Sequence, residues 1–272
     1  MKPLRLGLAL GGPGDAEGWS RLLARAERAE ALGFHGVWVP EMHFRPGAMA
    51  SPLLALAAIA ARTTRLRLGT TSLLLPIHPP ARIAEEVAAL DALSGGRVEL
   101  GLGRGFAPAV LDTFGVAASE KRDRFDEALD AILAAWTAPD APGEGPRPAL
   151  RPVQRPHPPL SVAAFGRKGL LQAARRGLPY LASPLEPLAL LVENHALHRA
   201  SLPAAVDPAS IAVPVMRTVF VARDDARARA VRAALEAEAT RNARVLPPAI
   251  ARAAAGGVEE RALVGTASQV RD

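Results

Sequence analysis

Pro80-Ala81-Arg82-Ile83-Ala84-Glu85-Glu86-Val87-Ala88-Ala89-Leu90-Asp91-Ala92-Leu93-Ser94-Gly95-Gly96-Arg97-Val98-Glu99-Leu100-Gly101-Leu102-Gly103-Arg104-Gly105-Phe106 holds the repeating unit of this chain. Pro80–Leu93 reads as a helix that ends near Ser94-Gly95-Gly96. Val98–Leu102 is a short apolar strand, and two glycines flank an arginine directly after it. The same order recurs on both sides. Upstream, strands Leu4–Leu10, Gly36–Val39 and Leu66–Leu75 alternate with helices. Glu17–Leu32 is one helix, stopped by Gly33; Leu53–Thr63 is the next, with Ser51 as N-cap and Pro52 in its first turn. Downstream come helix Ser119–Trp136, capped by Ser119, and a proline- and glycine-rich connection from Ala138 to Pro159. Strands Leu160–Ala164, Tyr180–Ala182 and Ile211–Val221 then alternate with helices Lys168–Arg176, Leu185–Ser201 and Asp224–Arg241. Such alternation calls for a parallel sheet covered by helices. Seven units favour a closed α/β barrel over an open sheet, and no Gly-x-Gly-x-x-Gly follows the first strand to anchor a dinucleotide fold.

Composition narrows the function. With 49% hydrophobic and 22% charged residues, the 272-residue chain reads as a globular protein of one barrel. No apolar run reaches the roughly 18 residues of a membrane helix, and the N-terminus carries no signal-peptide pattern, so a cytoplasmic protein without membrane contact is expected. The absence of cysteine excludes disulfides and thiolate chemistry. No metal is expected: His195 and His198, three apart on a helix, read as a half-exposed polar face. The net charge of +6 is spread as scattered arginines among 4% aromatics, which argues against a nucleic-acid partner.

In a barrel the chemistry sits on the loops that follow the strands. After the second strand, Glu41-Met42-His43-Phe44 brings together a carboxylate, a histidine and an aromatic ring. His43 is suited to proton transfer near neutral pH, and equally to capping a loop. In the third strand the small, polar Thr70-Thr71-Ser72 interrupts an apolar run, as at a bulge or a ligand's close approach. Gly103-Arg104-Gly105 and Gly166-Arg167-Lys168-Gly169 each place a cation between glycines at a strand's end, and the second precedes a helix N-terminus suited to an anion.

The ordered series of motifs resembles the luciferase-like monooxygenase family. It comprises Gly33-Phe34-x-Gly36-Val37-Trp38, Glu41-x-His43-Phe44, Arg67-Leu68-Gly69-Thr70, Leu75-Pro76-x-His78-Pro79, Ala84 through Arg97, Gly103-Arg104-Gly105 and Gln154-x-Pro156-His157-Pro158-Pro159. The match thins beyond Ser183 until Leu263-Val264-Gly265-Thr266, which is similar to a late turn of the family. The resemblance implies a single (β/α)8 TIM-type barrel over residues 1–272. It implies reduced FMN, or a deazaflavin coenzyme, supplied by a flavin reductase, with oxygen and a small-molecule substrate in a homodimer. It places Arg104 and Arg122 at the flavin phosphate with Gly166, Arg167, Lys168 and Gly169, and Thr71 and Ser72 as a cis-linked pair under the ring. His43, with Glu41 as partner, takes the catalytic role.

Three departures stand out. The first histidine of the family's Glu-His-His-Phe is Met42, whose thioether transfers no proton, so light emission with an aldehyde is not expected. A cysteine beside the flavin is replaced by Gly103. The family pattern continues through one more helix, a last strand and a final helix after Gly265-Thr266, so the chain is expected to be C-terminally short, either truncated or an incomplete barrel. Two rival readings follow: a deazaflavin-dependent dehydrogenase of the same superfamily, and a flavin-binding barrel without catalysis.

Overall fold

The structure is a computed structural model that describes residues 4–137, 150–243, 251 and 256–271. It divides into two compact units, 1–160 and 161–272. In the first, β1 (Gly7–Ala9), β2 (Gly36–Val39), β3 (Arg67–Thr70), β4 (Leu73–Leu74) and β5 (Val98–Gly103) are all parallel. β1 pairs with β2, β2 with β3, and both β3 and β4 with β5. Helices α1 (Ala16–Ala31), α2 (Pro52–Ala60), α3 (Pro80–Ser94), α4 (Pro108–Thr113) and α5 (Lys121–Thr137) fill the connections. Their apolar stripes bury Leu22 and Ala26, Leu56 and Ile59, Val87 and Leu90, and Phe125, Leu129 and Trp136, and the strands bury Val37, Leu68 and Leu100. The Trp136 indole N–H is satisfied by the Ala84 carbonyl at 3.0 Å, which locks α5 to α3.

Two features of the sequence find structural work here. Gly95 ends α3 at φ 66°, a left-handed position that suits glycine. The arginines beside it act as staples. Arg97 donates to the carbonyls of Ala60, Thr63, Leu66 and Ser94, and burial lowers its proton affinity. Arg67 donates to Glu99, the Gly96 and Val98 carbonyls and the Gln154 side chain, while Gln154 in turn donates twice to buried Asp91. Much of the motif from Asp91 to Arg97, together with Gln154, therefore closes the end of the sheet opposite the functional loops. On the inner side, the Trp38 indole lies where side chains of Gly7 and Gly69 would stand: a Cβ at either would fall 2.0 Å from the ring.

In the second unit, β6 (Leu160–Ala163) pairs in parallel with β7 (Tyr180–Leu181), and β8 (Thr218–Val221) pairs in parallel with β9 (Ala262–Gly265). Helices α6 (Arg167–Arg175), α7 (Leu188–Ala200), α8 (Asp225–Ala243) and α9 (Ala267–Arg271) accompany them. Val264 and Ala222 pack with Ala228 into a small core against α8.

Five expectations are corrected. The third strand is not continuous over Leu66–Leu75: it breaks at Thr71-Ser72, resumes as β4 and ends in a 3-10 turn at Leu75–Ile77. The seventh strand shrinks from Ile211–Val221 to Thr218–Val221, with an isolated bridge from Val215 to Ala182. Val264-Gly265, read as part of a turn, belongs to β9. His198 is fully buried rather than half-exposed: its Nε2 donates to the Leu178 carbonyl at 2.9 Å and its ring packs on Tyr180. Ser51 precedes α2 as expected but makes no side-chain capping bond. Residues 138–149 of the proline-rich connection lie outside the described residues. Among the described residues, no helix is long and apolar enough to cross a membrane.

Candidate active site

The first unit gathers three groups where β2, β3, β4 and β5 end. The first is built on the loop after β2. The Glu41 side chain is wholly buried and the His43 side chain 8% exposed, with His43 Nε2 2.9 Å from Glu41 Oε1. His78, just past the turn that follows β4, reaches the same oxygen through its Nε2 at 2.7 Å. The backbone N–H of Leu74 donates to Glu41 Oε2 at 2.7 Å. One carboxylate thus joins β2, β4 and the turn beyond it. The His43 ring meets Phe114 edge-on at 5.0 Å, and Phe44 stacks on Phe114 at 5.7 Å. Phe44 holds φ 55°, a left-handed backbone uncommon for a bulky side chain. Arg45 points its guanidinium at the Met42 sulphur.

The second group is the break in the third strand. Leu68 pairs with Val98 and Leu73 with Leu102, so five steps on one strand face four on its neighbour. That is a one-residue bulge, and the Thr71–Ser72 peptide within it is cis, as expected. Thr71 N–H donates to the Val39 carbonyl and Thr70 Oγ1 to the Gly101 carbonyl. Leu74 pairs with Gly103, and a Cβ at Gly103 would meet Ser72 Oγ at 2.1 Å. Glycine suits position 103 because the serine hydroxyl occupies the space a side chain there would need.

The third group is cationic. Arg104 follows β5, while Lys121 and Arg122 open α5. Burial, then the charge of Arg122, pushes Arg104 down to about 10, partly offset by Asp126. Lys121 is lowered by burial, Arg122 and Arg104 in that order, and its Nζ donates to the Gly105 carbonyl at 3.0 Å. The guanidinium of Arg104 stands 5.8 Å over the Phe125 ring. Arg104 and Lys121 are thus lowered by burial and by the neighbouring charge of Arg122, which sets three cations together where β5 ends and α5 begins.

The second unit has an anion-suited end of its own. Gly166 is the N-cap of α6 and contributes no side chain, so no side-chain bond caps the first turn. Arg167 and Lys168 there are exposed, and Gly169 is buried.

Comparison with known proteins matches residues 5–272 to the luciferase-like monooxygenase family model. The chain belongs to the luciferase-like monooxygenase family. Its α/β fold is of that family's (β/α)-barrel type. The monooxygenase RslO1 from Streptomyces bottropensis superposes with a TM-score of 0.78 at 30% identity, over 98% of this chain and 86% of that one. The oxygenating constituent of 3,6-diketocamphane monooxygenase from Pseudomonas putida, solved with FMN, shares the fold at TM-score 0.78 and 19% identity, over 98% of this chain and 86% of that one. The 4-hydroxyprotoasukamycin monooxygenase of Streptomyces nodosus subsp. asukaensis is 40% identical over 113 residues, 41% of this chain and 30% of that protein. This luciferase-like chain spans about half the length of the curated relatives it matches, 48% and 52% of two of them.

Within the first unit, the structure brings Glu41 together with His43, and Thr71-Ser72 together with Gly103. It adds two residues that sequence reasoning missed. His78 was legible only as part of a motif, and Lys121 only as the neighbour of Arg122. Each becomes visible once the register of β2, β4 and β5 is known.

Proposed function

We propose that this chain is a flavin-dependent monooxygenase that uses reduced FMN and oxygen on a small organic substrate. The observation that carries the reading is the cation cluster Arg104, Lys121 and Arg122, set beside the bulge at Thr71-Ser72 and the side-chain-free Gly103. The cations would hold the phosphate, and the small side chains of Thr71 and Ser72, the second seated against Gly103, would let a flat ring lie close to the strand. In the second unit, Gly166, Arg167, Lys168 and Gly169 offer an anion-suited end of their own at the N-terminus of α6. When bound, reduced FMN supplies the electrons for oxygen activation. His43 accepts or returns a proton near the reacting centre, oriented by Glu41 at 2.9 Å. The aromatic pair Phe44 and Phe114 screens His43 from water. The sulphur of Met42 exchanges no proton, which directs the reading to oxygenation rather than light emission. The enzyme of this reading is a cytoplasmic homodimer fed by a separate flavin reductase.

The test is oxygen consumption with chemically reduced FMN against a panel of small substrates, alongside absorbance changes with a reduced deazaflavin. Substrate-dependent oxygen uptake with FMN is expected. Turnover of the deazaflavin without oxygen would make the chain a dehydrogenase. Flavin binding with neither accelerated reoxidation nor substrate loss would leave a non-catalytic barrel. Either result overturns the proposal.

A further inference from the structure

We propose that His78 is a second proton-exchanging histidine, and that Glu41 is the positioning residue that holds His43 and His78 as a pair of Nε2–H tautomers with Nδ1 of each as the exchanging atom. This rests on the proton-handling reading of His43 above and extends it to a residue 37 positions away from Glu41 in the chain.

The tautomers follow from counting donors. Glu41 Oε1 faces two imidazole nitrogens, His43 Nε2 at 2.9 Å and His78 Nε2 at 2.7 Å, and Oε2 faces the Leu74 N–H at 2.7 Å. A proton on Oε2 would oppose the Leu74 N–H, and a proton on Oε1 could serve only one of the two rings. A carboxylate that only accepts satisfies all three contacts, and both imidazoles must then carry hydrogen on Nε2. A neutral ring of that form has its lone pair on Nδ1, the nitrogen not tied to Glu41. A proton taken up at either Nδ1 produces an imidazolium whose charge is compensated by the buried carboxylate. Deprotonation simply reverses this, with no change in bonding to Glu41.

The two rings differ in access. His43 is almost enclosed and its plane is fixed by Phe114, whereas the His78 side chain is 25% exposed. His43 thus faces the protected side of the shared carboxylate, and His78 the side that trades protons with water. The other charged group of the loop, Arg45, is turned to the Met42 sulphur.

Histidine side-chain nitrogen NMR on the ligand-free protein tests the tautomers directly, with signals assigned through His43→Gln and His78→Gln. At mildly alkaline pH both rings are expected as Nε2–H. In Glu41→Gln the new amide N–H group becomes a donor, and at least one ring should switch to Nδ1–H. Kinetics tests the exchange. Glutamine at 78 can still donate to Glu41 but cannot take up a proton, so His78→Gln should lower kcat roughly tenfold, and His43→Gln about a hundredfold. KM and the FMN dissociation constant should stay within about twofold in both. A wild-type ring found as Nδ1–H, or a His78→Gln protein with unaltered kcat, overturns the pairing. Should Glu41→Gln fail to fold, the wild-type spectrum and the histidine variants still decide. Correct tautomers without any oxygen consumption would sink the oxygenase reading and leave the pairing standing.

Discussion

Glu41 and Glu186 are both buried carboxylates in loops that follow a parallel strand, one in each unit, and they are held by different chemistry. Glu41 is held by two imidazoles and a backbone N–H. Glu186 is held by the Ser183 N–H at 2.6 Å and the Asn194 amide at 2.5 Å, neither of which titrates in the ordinary range. Burial pushes the Glu186 carboxyl up, against the opposing pull of Ser183, Asn194 and Arg217. Nearby Tyr180 is pushed up to about 12, first by burial and then by Glu186. Burial alone therefore does not tell the two carboxylates apart; their partners do. Partners that can themselves gain and lose protons make Glu41 part of an exchange; fixed amide donors make Glu186 a clamp.

The largest effect expected is on Glu41. Glu41→Ala strands three donors where Glu186→Ala strands two, and each orphaned donor costs about 1–3 kcal/mol. Urea denaturation should show a loss of about 3 kcal/mol or more for Glu41→Ala, and a smaller one for Glu186→Ala. Equal losses would remove the distinction between the hub and the clamp. A second contrast between the units concerns anions. Arg104→Ala should weaken FMN binding roughly ten- to a hundredfold, the effect of removing one charge-assisted hydrogen bond to the phosphate. Lys168→Ala, at an exposed position on α6, should weaken it less than about threefold. Titration of flavin fluorescence reads both, and an unchanged constant for Arg104→Ala removes the first unit as the phosphate site.

Gly103→Ala should cost about 1–2 kcal/mol because its Cβ would crowd Ser72 Oγ. Ser72→Ala in the same chain should recover most of that, and a double-mutant cycle measures the recovery. The smallest effect separates the two carboxylates by pH. The folded Glu186 carboxyl sits above its unfolded value, so its contribution is full below the unfolded value and is lost as pH rises through the folded one. Glu186→Gln, which never ionises, should therefore gain stability relative to the parent as pH rises from acid to neutral. A difference that stays constant with pH would show that Glu186 is not strained by burial.

The strand–helix alternation, the Glu41-Met42-His43-Phe44 loop and the Arg104 loop were legible because each is local: a period, a glycine stop, a charge between glycines. His78 was not, since its partner lies 37 residues earlier and only the register of the sheet joins them. Lys121 looked like one more charge on a helix until Arg104 and Gly105 were set beside it. The interrupted third strand was half legible. Its small polar residues signalled a bulge, but a run as apolar as Leu73-Leu74-Leu75 gave no sign of ending in a 3-10 turn. Helix α4 is only six residues long, too short for its apolar spacing to stand out. His198 was misjudged because a helix face in sequence does not show what packs on it, here Tyr180 and the Leu178 carbonyl.

The bulge at Thr71-Ser72 sets something like a reading frame for the strand. Side chains alternate between faces, so one extra residue decides which of the following leucines points where. It also decides which amide arrives opposite Glu41: with the bulge in place it is Leu74, paired with Gly103. Deleting a single residue at the bulge would advance the frame by one, offer the Leu75 amide instead and exchange the faces of Leu73 and Leu74. The carboxylate that carries both histidines is thus registered to the sheet by a count of residues, and a change of length there would act as a frameshift where a change of side chain would not.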